Sequence, residues 1–190
     1  MRYFFDCKCI EDGSTIALIA LISLGLVAED GRKLYAENSG ADLSKAGEWV
    51  AKNVVSELWS RQIDKDRLQF NPWIRDGVVG GVMRYDEIAR KVRDFCNPQI
   101  YGTPEFWVFY DPESSRYPFR HLIGWLEGLP PEDPMDFRSI KRLWQDLGNP
   151  TLPGYKDLTH HALAQAQRNK QSWQFLQDET ARLYKDKAGN

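Results

Sequence analysis

The stretch "RYFFDCKC" (Arg2–Cys9) holds the first side chains able to do chemistry. It is rich in aromatics and lacks helix formers, so it reads as a β-strand. Side chains alternate along a strand, which puts Asp6 and Lys8 on one face, about 7 Å apart. A carboxylate at a strand end suits a hard divalent cation, which takes oxygen ligands. An ammonium two residues on opposes such an ion and is placed to pair with Asp6 instead. Cys7 and Cys9 fall on the opposite face. A Cys-x-Cys pair can bind metal or undergo redox chemistry, but on a central strand cysteine serves more often as a small buried apolar residue. Further acids stand at Asp111, Glu113 and Asp157, and two adjacent imidazoles at His160 and His161.

These groups need elements to position them. "EDG" recurs at Glu11–Gly13 and Glu29–Gly31, marking turns around an apolar strand, Ile16–Val27, and a third strand, Arg32–Glu37. The three strands form an antiparallel meander, with the apolar one central in the sheet. Ser44 is placed to cap a helix running to Leu58, with Trp49, Val50, Val54 and Leu58 on one face. Residues 60–83 read as loop, punctuated by "NPW" and "DGVVGG". Tyr85–Cys96 is an amphipathic helix. "EFWVFYD" (Glu105–Asp111) is an apolar strand, followed by a helix over about Ser115–Gly124. Ser139–Leu147 is a helix that "GNP" terminates. The last long helix starts near His160 or His161 and ends near Tyr184, with Leu163, Ala166, Trp173, Leu176 and Leu183 at helical spacing.

The resulting order, β-β-β-α-α-β-α-α-α, fits one α/β domain over residues 1–190, a mixed β-sheet flanked by helices. The strand between helices should run parallel to its neighbour through a right-handed crossover. A chain of 190 residues with 42% hydrophobic and 27% charged residues is a folded protein, not a disordered one. Its net charge of −2 excludes a strong overall basic field and leaves room for a local basic stripe. Three cysteines read as free thiols of a reducing compartment, hence a cytoplasmic protein. The apolar run Thr15–Ala28 is shorter than the ~20 residues needed to span a bilayer. It follows a polar turn rather than a basic segment, so neither a membrane anchor nor a signal peptide is expected.

A set of collinear motifs then resembles the RNase AS-like group of DEDDh exonucleases. "RYFFDCKCIEDGSTI" resembles the family opening "YFxDTEFIEDGxTI", and "LISLGLVAEDGRKLYA" the hairpin after it. "PEFWVFY" resembles the strand before the second motif. "SIKRLWQDLGNPTLP" (Ser139–Pro153) is similar to "DIKQLxxxLGNPxLP", and "HHALAQAQRNK" (His160–Lys170) to "HNALADARWNK". Residues 60–83 match poorly, and the second strand carries about three extra residues at Ala17–Ile22. The resemblance implies an RNase H-like (DnaQ-type) fold, 3′-to-5′ exoribonuclease ancestry, RNA 3′ ends as substrate and a homodimer. In that family four carboxylates hold two divalent ions, Mg²⁺ or Mn²⁺, and a histidine acts as general base.

Carried over position by position, the motif is depleted. Asp6 matches the first acid and Lys8 occupies the second. A one-residue gap puts Ser114 or Ser115 at the third. His160 matches the histidine, and Gln165 stands at the last acid. The formal charge of the cage thus falls from −4 to about zero. One charge at about 4 Å is worth roughly 4 kcal/mol at an effective dielectric of 20, so two-metal binding should be abolished. Arg116, Arg120, Arg168 and Lys170 would flank the old cleft and, with Tyr110 and Tyr117, meet RNA phosphates and bases. His161 is expected at the surface. The reading is a degenerate, catalytically inactive exoribonuclease-like protein that needs no cofactor and binds an RNA 3′ end, a nucleotide or a protein partner. Two alternatives stay open: an active Mg²⁺- or Mn²⁺-dependent nuclease with a rearranged site using Asp111, Glu113 and Asp157, and a protein-interaction module that binds no nucleic acid.

Overall fold

The computed structural model describes residues 1–10, 20–62, 77–110, 112–123, 136–154 and 159–188. β1 (Arg2–Ile10) pairs antiparallel with β2 (Ala20–Ala28), and β2 pairs antiparallel with β3 (Lys33–Asn38). The expected meander is therefore present; residues 16–19 of its second strand lie outside the described residues. β5 (Glu105–Val108) runs parallel to β1, as a strand between helices should. β6 (Asp136–Ser139) runs parallel to β5, and β4 (Val78–Met83) parallel to β3. The six strands lie in the order β4-β3-β2-β1-β5-β6, and β2 alone runs against the others. This is a mixed α/β sheet with flanking helices.

Two strands depart from the sequence expectation. The stretch 60–83 reads as loop, yet its end forms β4. Gly80 and Gly81 erase the alternation that would announce a strand. Gly80 has φ +145°, and a Cβ there would lie 1.7 Å from the Tyr35 carbonyl oxygen, so only glycine lets β4 close on β3. β6 was also unforeseen; four residues are too few to show a period.

The single helix expected over Ser44–Leu58 is broken into short pieces. A 3₁₀ turn at Leu43–Lys45 starts from Asp42, whose carboxylate accepts the Ser44 N–H. Then come α1 (Glu48–Asn53), a second 3₁₀ turn at Val55–Glu57, and α2 (Trp59–Gln62). Gly47 sits at the N-cap of α1, and the β-branched pair Val54–Val55 marks its end. The remaining helices are α3 (Tyr85–Phe95), α4 (Pro98–Tyr101), α5 (Pro112–Ile123), α6 (Ile140–Asp146) and α7 (Ala162–Ala188). Ser139 caps α6 by accepting the Arg142 N–H at 3.2 Å, so the expected serine start holds one residue further on. Among the described residues, no helix is long and apolar enough to cross a membrane.

The alternation of β1 sorts the core into two layers. Tyr3 and Phe5 meet Leu24, Leu26, Phe106 and Phe137 under Ile88 and Val92 of α3 and Phe119 of α5. Phe4 meets Val27, Tyr35 and Trp107 under Leu163, Ala166 and Leu176 of α7. Burying each such aromatic or aliphatic side chain contributes about 1.5–3 kcal/mol. Asp6 and Lys8 follow Phe4 on the α7 side, so the long helix covers the face that carries the chemistry.

Three contacts set how α7 lies. Gly25 is opposite Asp6 in the ladder, and a Cβ on it would come within 2.5 Å of the Leu163 backbone. The missing side chain lets the first turn of α7 rest on β2 beside Asp6. Buried Asn169 donates to the Phe5 carbonyl at 3.0 Å. Lys170 donates to the carbonyls of Ala28 and Glu29 at 3.0 and 2.9 Å, tying the helix to the β2–β3 turn.

Candidate functional site

From β1 the sheet grows one way through β2 and β3 and the other way through β5 and β6. Open α/β sheets bind ligands outside the carboxyl ends of their strands at such a reversal. Asp6 and Lys8 stand in the carboxyl half of β1, at that place. Across the sheet, Asp6 aligns with Gly25 and Tyr35, and Lys8 with Ser23 and Glu37. The ladder shifts register between Lys8 and Cys9, giving β2 an extra residue, Ile22. A bulge of this kind re-aims the side chains beside it. Ile22 packs with Ile10, Val54 and Leu58, which seats the α1–α2 segment next to Lys8.

The Lys8 ammonium lies 2.9 Å from Asp6 Oδ2, with the side chains only 17% and 21% exposed. The pairing expected from strand alternation is present. Oδ2 is buried and accepts no other contact from the described residues. Burial pushes the Asp6 carboxyl up to about 6, against the pull of Lys8, which lowers it. The ion pair offsets part of the desolvation cost and leaves the remainder.

His160 and His161 differ in role. His160 lines a cavity of about 390 Å³ together with Lys8, Cys7, Cys9, Val50 and Trp49. Its ring meets Trp49 edge-on at 4.8 Å. Burial and then the Lys8 charge lower its pKa, while Glu57 raises it. His161, expected at the surface, is instead buried at 7% exposure. It caps α7, with Nδ1 accepting the Ala164 N–H at 3.3 Å. Its ring lies between Tyr35 and Trp59, at centroid distances of 4.3 and 5.2 Å. Burial foremost, then Lys8, pulls its pKa down to about 4, so the ring is neutral at pH 7 and Nε2 carries the proton. Buried Nε2 has no hydrogen-bond partner among the described residues.

Glu37 holds this arrangement from beneath. It is buried, accepts the Tyr35 hydroxyl at 2.9 Å, and receives the Ser60 N–H at 3.3 Å on each carboxylate oxygen. That fixes the start of α2 and hence Trp59 against His161. Sequence reading missed Glu37 because a strand acid beside a turn resembles a solvated residue. It also placed Trp49 on a buried helical face, whereas Trp49 is 59% exposed at the cavity rim. With the helix broken at Gly47 and Val54, the wheel that buried Trp49 does not exist.

The other expected positions are less gathered. Gln165 stands on the first turns of α7 and donates to the Asn169 side chain at 3.2 Å, and Asn169 in turn holds Phe5. Ser114 and Ser115 fall in the first turn of α5, with side chains outside the described residues, as is that of Glu113; Asp111 and Asp157 lie outside them entirely. Arg116 and Arg120 ride on α5, which packs on the opposite face of the sheet through Phe119 and Leu122. Arg168 and Lys170 are about 200° apart around α7, at 100° per residue, so they face different flanks. Lys170 is committed to the β2–β3 turn, opposite Tyr3 in the ladder and about 16 Å along β1 from Lys8. Cys7 and Cys9 lie on the Phe5 side, their sulfurs 4.0 Å apart; the shared hydrogen bond, then burial, raises the Cys7 pKa.

Among the described residues, the donors at this place do not suit a pair of hard divalent ions. They are one carboxylate already neutralised by an ammonium, a carboxamide and imidazoles, where such ions need several anionic oxygens. Among the described residues, no cluster of three or more His, Cys, Asp or Glu side chains could hold a metal ion.

Comparison with known proteins gives the chain its relatives. No family model matches it. Two curated proteins of Mycobacterium tuberculosis, one from strain CDC 1551 / Oshkosh and one from strain ATCC 25618 / H37Rv, are each 34% identical to it over 177 residues. The match spans 87% of this chain and 87% of each relative, and both relatives are named 3′-5′ exoribonuclease. Identity at that level over nearly the whole length of both partners places this chain in the 3′-5′ exoribonuclease family.

Proposed function

We propose that the chain is a degenerate exoribonuclease of the DEDDh, RNase H-like type, which holds a nucleic-acid 3′ end without hydrolysing it. The observation that carries this is the buried ion pair: the Lys8 ammonium occupies the space beside Asp6 at 2.9 Å. Phosphodiester hydrolysis by two metals requires ions that bridge the attacking and leaving oxygens. Lys8 supplies a positive charge there but no open coordination position, so it attracts a phosphate without activating water. The sheet order, with one antiparallel strand beside β1, supports the RNase H-like assignment.

The cavity at His160 suits the end of a strand. Trp49 offers an exposed indole for a base, and Lys8 a cation for the terminal phosphate. Burial and then the Lys8 charge lower the His160 pKa, which favours the neutral ring that can accept a hydroxyl hydrogen bond from the terminal ribose. The same reading includes a homodimer, which light scattering tests independently.

The experiment is a 5′-labelled oligoadenylate incubated with the protein and Mn²⁺, followed by fluorescence anisotropy without metal. The reading requires no shortening of the label-bearing strand, and salt-sensitive binding that weakens in Lys8→Met and Trp49→Ala. Trimming that disappears in Asp6→Ala would establish an active nuclease with a rearranged site. No binding at low salt would leave a protein-interaction module.

A further inference from the structure

A second opening lies at the carboxyl ends of β5 and β6, outside the cavity described above. It is a groove of about 600 Å³ lined by Tyr110, Ser139, Lys141, Arg142, Gln145 and Asp146. Tyr110 is 62% exposed although it directly follows the buried run Trp107–Phe109. The backbone around it is braced. Ser139 Oγ donates to the Tyr110 carbonyl at 2.8 Å, the Lys141 N–H donates to the Phe109 carbonyl at 2.9 Å, and the Arg142 N–H donates to Ser139 Oγ at 3.2 Å. The Lys141 ammonium stands 5.7 Å from the Tyr110 ring centroid. Among the described residues, neither Lys141 nor Arg142 enters an ion pair. Among the described residues that line the groove, Asp146 is the single acid beside two cations.

The groove and the cavity share one end of the sheet. Phe4 aligns with Trp107, and Val108 with Ser139, so β1, β5 and β6 run side by side toward it. Two strand spacings, about 10 Å, separate β1 from β6. That is about three nucleotide rises of a stacked strand at 3.4 Å each. An exposed aromatic ring flanked by unpaired cations is how proteins hold single-stranded nucleic acid: the ring stacks a base and the cations meet phosphates. A guanidinium adds a fork that matches phosphate oxygens.

We propose that this groove binds the single-stranded RNA immediately upstream of the 3′ end, with one base stacked on Tyr110 and phosphates against Lys141 and Arg142. The assignment rests on the reading of the Lys8 cavity as a 3′-end site, since the groove opens at the same end of the sheet. It involves none of Arg116, Arg120, Arg168 and Lys170; Lys141 and Arg142 stand instead in the motif "SIKRLWQDLGNPTLP".

The test is fluorescence anisotropy of the full chain with 5′-fluorescein octaadenylate and diadenylate. The parent protein should bind the octamer at least about tenfold more tightly than the dimer. Lys141→Gln with Arg142→Gln should weaken the octamer about tenfold or more and leave the dimer within about twofold. The salt slope of octamer binding should fall by about 1.4, at ~0.7 for each phosphate that is no longer neutralised. Tyr110→Ala should weaken the octamer roughly 5- to 100-fold by removing the stacking platform. The Lys141/Arg142 variant changes no buried side chain, so it remains informative if Tyr110→Ala fails to fold. Octamer binding that disappears in Lys8→Met but is indifferent to the groove variants overturns the groove alone. An octamer that binds no tighter than the dimer also overturns it. If the parent binds neither RNA, the groove and the 3′-end reading fall together.

Discussion

Replacing Lys8 with methionine should destabilise the protein in a manner that depends steeply on pH. The effect originates at Asp6, whose carboxyl is raised from 3.8 to about 6 by burial despite the ammonium 2.9 Å away. A raised folded-state pKa means a contribution fully present below 3.8 and lost as pH rises through about 6. At pH 7, keeping Asp6 ionised in the parent fold therefore costs about 3 kcal/mol relative to the unfolded chain. Without Lys8 the carboxyl has no counter-charge and its pKa rises further, so at pH 7 it folds protonated. Taking up that proton costs about 4 kcal/mol at pH 7 and about 6 at pH 8, while the parent's cost stays near 3. The variant should then lose about 1 kcal/mol at pH 7, about 3 at pH 8 and almost nothing at pH 5, apart from a pH-independent packing offset. Urea unfolding of both proteins at four pH values from 5 to 8 reads this directly. In the Asp6→Asn background the Lys8→Met effect should be flat. A Lys8→Met penalty that is independent of pH in the parent background, or that grows toward acid, would refute the reasoning.

Three further outcomes follow from the same geometry. His161 has a lowered folded-state pKa of about 4, so its contribution is present above 6.5 and lost as pH falls through about 4; His161→Gln, which keeps a capping acceptor, should flatten the acid side of the urea-stability profile. Gly25→Ala drives a methyl into the Leu163 backbone and should cost about 3 kcal/mol or more in urea unfolding, with Tm falling accordingly. Asn169→Leu leaves the buried Phe5 carbonyl without its donor and should cost about 1–3 kcal/mol by the same measurement.

Much of this arrangement was legible in the residues, for physical reasons. Strand alternation alone put Asp6 beside Lys8 and Cys7 on the far side. Recurrent "EDG" turns announced the meander, and the crossover rule put β5 parallel to β1. The misses arose where local pattern is silent. β4 is carried by two glycines, which have no side chain to alternate, and is specified by the close approach of the Tyr35 carbonyl. The break of the Ser44–Leu58 segment hinges on Gly47 and Val54, whose effect depends on where Ile22 bulges out of β2. His160 and His161 cannot be told apart by type. The buried ring is His161, which tertiary packing seats between Tyr35 and Trp59. Arg168 and Lys170 sit together in the motif, yet helix geometry sends them to different flanks, and Lys170 serves the β2–β3 turn.

On the proposed function, an internal cation stands where this family's chemistry would place metal, and a Mn²⁺ titration tests that most directly. Isothermal calorimetry would compare the parent chain with a Lys8→Glu, Ser115→Asp, Gln165→Asp variant, with Ser114→Asp substituted if Ser115→Asp does not respond. The parent should show no stoichiometric Mn²⁺ binding, and binding should become measurable once the three carboxylates are present. Stoichiometric binding by the parent that is abolished in Asp6→Ala would contradict the proposal.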